Sequence, residues 1–95
     1  MKRAHVVVPW EAGLHLRPAV KLVRLAQQFR ATVLLRCGER IANLGSVLSI
    51  VALCAVAGTT LEVQAAGEDE AEAIRAVEAA FTLESAPGET SGPTR

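Results

Sequence analysis

The stretch Gly13-Leu14-His15-Leu16-Arg17-Pro18-Ala19 sets a histidine between a glycine-containing loop and the first turn of a predicted helix. Backbone N–H groups in a first turn have no intrahelical acceptor, and the helix dipole turns its positive end to the same place. Such an end receives anions. The N–H groups of Leu16 and Arg17 stand there, and Arg17 adds a permanent charge whose guanidinium fork matches phosphate oxygens. Positive groups beside an imidazole disfavour its protonated form, which leaves a ring nitrogen free as a nucleophile. A phosphoryl group arriving on His15 would find hydrogen-bond donors already in place. The plainer reading is a polar residue at a helix N-terminus, and these residues alone leave both readings open. Other chemistries fit less well. His5 is the one other histidine, and its spacing matches no zinc-ligand pattern. No serine or cysteine is evidently paired with His15 as in a hydrolytic triad. No metal and no cofactor are expected.

The elements that must position this stretch can be read from periodicity. Val6-Val7-Val8 is β-branched and predicts a first strand closed by Pro9. From Leu16 to Phe29, the residues Ala19, Leu22, Val23, Ala26 and Phe29 recur at helical spacing, with Lys21, Arg24, Gln27 and Gln28 opposite. Pro18 falls in the first turn, where its missing N–H costs nothing. Thr32 to Arg36 predicts a second strand, Gly38-Glu39 a turn, and Arg40 to Ala42 a third. Ser46 to Leu53 predicts a short helix with Ser46 as N-cap, a role Asn43 could share. Thr60 to Ala65 alternates: Leu61, Val63 and Ala65 on one side, Thr60, Glu62 and Gln64 on the other. Asp69 and Glu72 resemble a capping box opening a last helix with an inward stripe of Ala73, Ile74, Val77 and Phe81.

The order β-α-β-β-α-β-α with one wet sheet face predicts an α+β fold. Its form is an open-faced β-sandwich: a four-stranded antiparallel sheet covered on one face by three helices. Residues 1–83 form the expected domain. Residues 84–95, rich in Gly, Pro, Ser and Thr, are expected to form a disordered tail.

Composition limits what such a domain could do. Ten basic and ten acidic residues balance, and three aromatics in 95 residues offer little for stacking bases, so no nucleic-acid partner is expected. The apolar run Val47 to Ala57 is about half the ~20 residues that cross a bilayer, so no membrane insertion is expected. The N-terminus lacks the pattern of a secretory signal, which predicts a cytoplasmic protein. Cys37 and Cys54 lie in apolar segments without CxxC spacing and read as buried free thiols.

The Gly13–Ala19 stretch resembles the active-site signature of HPr, the histidine-containing phosphocarrier of the phosphoenolpyruvate-dependent phosphotransferase system. The likeness runs from about Ala4 to Phe81 and includes two further segments, Ala42-Asn43-Leu44-Gly45-Ser46-Val47-Leu48 and Ala65-Ala66-Gly67-Glu68-Asp69-Glu70-Ala71. The resemblance implies that His15 accepts a phosphoryl group on Nδ1 from enzyme I and passes it to IIA domains of sugar permeases, with Arg17 as phosphate partner. Such a protein is a carrier and not an enzyme. It further implies that Ser46 is a candidate target of an HPr kinase/phosphorylase, and that partners dock on Val20, Val47, Leu48 and Val51. A short helix this apolar cannot be buried on every side in so small a domain, which agrees with such a patch. Three residues depart from the pattern: Leu16 is bulky, Ala12 replaces a polar residue, and Gly45 stands where lysine is common. The stretch from Lys21 to Arg36 also resembles the nitrogen-related branch, whose partner is a regulatory IIA protein. A non-phosphorylated regulatory relative that works by protein binding is the alternative.

Overall fold

The computed structural model describes residues 1–84. Its elements follow the expected order: β1 (Lys2–Val7), α1 (Leu16–Ala26), β2 (Thr32–Cys37), β3 (Arg40–Asn43), α2 (Val47–Ala52), β4 (Thr60–Ala66) and α3 (Glu70–Glu84). The strands form one antiparallel sheet in the order β1-β4-β2-β3. Helix α3 packs on β1 and β4, α2 lies against β3, and α1 contacts both other helices. The architecture is therefore the open-faced α+β sandwich that the strand alternation implied. Residues 85–95, most of the expected tail, lie outside the described residues, and Glu84 is the last residue of α3.

Alternation in β4 builds the core. Leu61, Val63 and Ala65 are fully buried, and Val63 sits in a row that crosses the sheet as Ala4, Val63, Leu35 and Ala42. Small aliphatic side chains keep this layer thin, and Leu22, Leu44, Ile50 and Phe81 close it from the helix side. The next row, His5, Glu62, Arg36 and Ile41, faces water. There the Gln64 amide donates to Glu62, and with the nearby Arg3, His5 and Arg36 it holds the Glu62 carboxyl below the ordinary range.

Four local details differ from the periodicity. β1 begins at Lys2 rather than Val6, because Lys2, Arg3, Ala4 and His5 pair with β4 although their side chains lack β-branching. α1 ends at Ala26 rather than Phe29, since the amides of Gln28 and Phe29 donate three residues back, to Leu25 and Ala26, and tighten the last turn. Cys54 is exposed and Cys37 half-buried: Cys54 follows α2 in a left-handed conformation (φ 56°) that turns it out of the apolar run. The start of α3 is also built differently. Glu70, not Glu72, reaches back, accepting from the Gly67 amide at 3.0 Å. The Asp69 carboxylate accepts from the backbone N–H groups of Arg30 (2.9 Å) and Ala31 (2.8 Å), fastening the entry of β2 to the end of β4.

Those two amides hold the Asp69 carboxyl below its usual range, with the Arg30 amide the larger influence. A carboxyl whose folded value is depressed adds stability above its unfolded value of about 3.9, and loses it as pH falls through the folded value. Asp69→Asn is therefore expected to melt below the parent at pH 7, with the gap closing as pH falls below about 4. Thermal melts followed by circular dichroism check this; a gap independent of pH would contradict it.

Candidate functional site

His15 is the N-cap of α1, in extended backbone geometry (φ −94°, ψ −167°). Its carbonyl accepts the first helical bond, from Ala19 at 3.1 Å, and its own amide donates to Gly13 at 2.9 Å. Its ring makes no capping hydrogen bond. The side chain that would ordinarily be used up closing the helix end is thus left exposed with its nitrogens available. Among the described residues, none accepts from the Leu16 or Arg17 amide, as first-turn geometry requires. No acidic side chain lies in the first turn to offset the positive end of the helix. His15, Arg17, Trp10, Pro18 and Lys21 line one open depression of about 240 Å³.

The loop that delivers His15 is held by backbone. The Gly13 amide donates to the Trp10 carbonyl (2.8 Å), and the Leu14 amide donates to Ala55 (2.8 Å). Gly13 has φ +80°, and a Cβ on it would lie 2.6 Å from the Ala55 oxygen. Only glycine meets both conditions. The buried Leu14 side chain then anchors the residue before His15 in the core. On the other side of the loop, Val8 exchanges backbone hydrogen bonds with Gly58 and Thr59, so the ladder of β1 runs up to the site.

The remaining predicted residues separate into two groups. Ile50 and Leu53 are buried, as expected for the inner side of α2, and Leu48 is 82% exposed. Val20, Val47 and Val51 are half-buried, and Val47 and Val51 pack against the core, so these two also contribute to stability. Ser46 caps α2 by accepting from the Ser49 amide at 3.2 Å. Asn43 does not share that role; its side chain accepts from Gly45 and its amide donates to Ser49 Oγ. Periodicity missed Trp10, Lys21 and Val56. Trp10 and Lys21 reach the depression from a loop and from the polar helix face, and Val56, 66% exposed, follows the Ala55 anchor. Only Lys21 had a sequence signal, its spacing of four from Arg17.

A family model described as the phosphorylation site of the HPr component of the phosphotransferase system matches residues 2–82. The phosphocarrier protein NPr of Escherichia coli K12 is 46% identical over 70 residues, covering 73% of this chain and 78% of its own. The phosphocarrier protein HPr of Mycoplasma capricolum is 31% identical over 77 residues, covering 81% and 86%. Among solved structures, HPr from Thermoanaerobacter tengcongensis superposes with a TM-score of 0.84 at 28% identity, covering 90% of this chain and 96% of that one.

If the approach of Gly13 to Ala55 sets the site, Gly13→Ala should be costly. Strained backbone at this position is worth about 1–3 kcal/mol, and the clash with the Ala55 carbonyl adds to it. Urea denaturation should report a loss of at least that size, whereas a variant as stable as the parent would contradict the reading.

Proposed function

The chain belongs to the HPr family of phosphocarriers, and from that premise we propose that His15 is its phosphoryl acceptor and Arg17 the side chain that steadies the transferred group. The observation that carries this reading is the His15 ring, unspent in capping at the N-terminus of α1. It shares its depression with a guanidinium and stands beside two amides without acceptors. In the transfer, the Nδ1 lone pair forms a bond to phosphorus while the donor's bond to phosphorus breaks and the donor keeps that electron pair. The ring retains its proton on Nε2 and carries the positive charge until the group moves on. The Leu16 and Arg17 amides and the Arg17 fork then face the phosphoryl oxygens. The protein is used once per transfer, as a carrier rather than an enzyme.

Enzyme I is the proposed donor and a IIA protein the proposed recipient. Exposed Leu48, with the half-buried Val20, Val47 and Val51, supports docking through an apolar patch. Identities of 46% and 43% with two NPr proteins, against 31% with an HPr protein over a similar length, favour a regulatory IIA protein of the nitrogen-related branch. Ser46 is a candidate for phosphorylation by an HPr kinase/phosphorylase. Its hydroxyl is engaged with Ser49, so modification would exchange that cap for a charge of about −1.5 to −2 beside Leu48.

Incubation with enzyme I, magnesium and phosphoenolpyruvate should add one phosphoryl group that is lost in acid and kept in base. His15→Ala should take up none. Arg17→Ala should fold but exchange more slowly, by about five- to a hundredfold if one or two charge-assisted hydrogen bonds are lost. Leu48→Glu should slow loading while leaving thermal unfolding unchanged. Acid-stable label, or full labelling of His15→Ala, would overturn the carrier reading in favour of a regulatory relative.

A further inference from the structure

We propose that Lys21 is a second cation on the transferred phosphoryl group and that Trp10 is the wall against which that group is held. The proposal rests on His15 as the acceptor and extends it to two residues outside the signature. Both line the depression that holds His15 and Arg17. Arg17 and Lys21 stand four residues apart in α1, on one face of the helix, so both can reach a group at its N-terminal end. Side chains of a helix lean toward its N-terminus, which is the direction in which His15 lies from Lys21. Its ammonium brings three donors to a group with three acceptor oxygens.

Trp10 reaches the same place from the loop. Its ring packs on buried Phe81 of α3, with centroids 5.0 Å apart and planes tilted by 58°. Its carbonyl accepts from Gly13, so one turn sets both the indole and the histidine. The indole presents an apolar face and one N–H donor. An apolar wall beside the phosphoryl oxygens removes water on that side and strengthens the contacts from Arg17 and Lys21. Trp10 acts as a positioning residue, and Lys21 touches the group itself.

The test uses phosphoramidate, which loads a histidine without any protein donor and so separates this pocket from partner docking. Nδ1 of His15 attacks phosphorus, the P–N bond of phosphoramidate breaks, and nitrogen leaves as ammonia with the bonding pair. Lys21→Gln should label about three- to fivefold more slowly than the parent, the effect of one solvent-facing charge pair, and with a weaker dependence on salt. Lys21→Arg should restore both the rate and the salt dependence. Trp10 is the one tryptophan, so its emission reports directly: loading should change it in the parent and leave it unaltered in His15→Ala. Labelling of His15 with parental rate and salt dependence in Lys21→Gln would overturn the role of Lys21. Unchanged emission on full loading would overturn that of Trp10. Labelling that persists in His15→Ala would instead overturn the reading of His15 on which both depend.

Discussion

Between Gly13 and the Ala55 carbonyl there is no room for a methyl group, since a Cβ would lie 2.6 Å from that oxygen. This contact joins the loop before α1 to the segment between α2 and β4, and the Leu14 amide closes it with a 2.8 Å hydrogen bond to the same oxygen. Leu14 is thereby buried, and the chain must leave the core at His15 to begin the helix. The exposed ring, the open amides of Leu16 and Arg17, and the turn that carries Trp10 all follow from that one approach.

A second fastening works at the far end of the sheet. The Asp69 carboxylate bonds the amides of Arg30 and Ala31, and Gly67 lies so close to Ala31 that a Cβ would meet its Cα at 2.6 Å. Helix α1 is therefore constrained at both ends by segments that flank β4. A site that receives and gives up a group gains from such a frame, because its donors need not be reorganised each time. On the proposed reading, fixed dipoles meet the phosphoryl group and exposed side chains such as Leu48 meet the partner.

Much of this was legible in the residues. The alternation of β4 foretold the buried trio Leu61, Val63 and Ala65, and the stripe of α3 foretold Ala73, Ile74, Val77 and Phe81, because both depend on local period alone. The signature around His15 was legible for the same reason: an N-terminal turn, a glycine before it and an arginine within it are neighbours in sequence. What escaped depends on distance. Asp69 reads as a local cap, but its partners are 38 and 39 residues away. Cys54 reads as core because its neighbours are apolar, and the left-handed backbone that turns it outward leaves no trace in hydropathy. Trp10 enters the site from a loop, and Phe81, far along the chain, offers its ring a surface.

The central claim is that the first-turn amides of α1 are held open to receive the group carried by His15. Amide proton shifts before and after phosphorylation test it most directly. The account predicts that the Leu16 and Arg17 amides move downfield and exchange more slowly, while the amide of Leu14, already bonded to Ala55, stays in place. If the Leu16 and Arg17 signals remained where they were and the largest shifts fell outside the first turn, the helix end would not be the phosphoryl site.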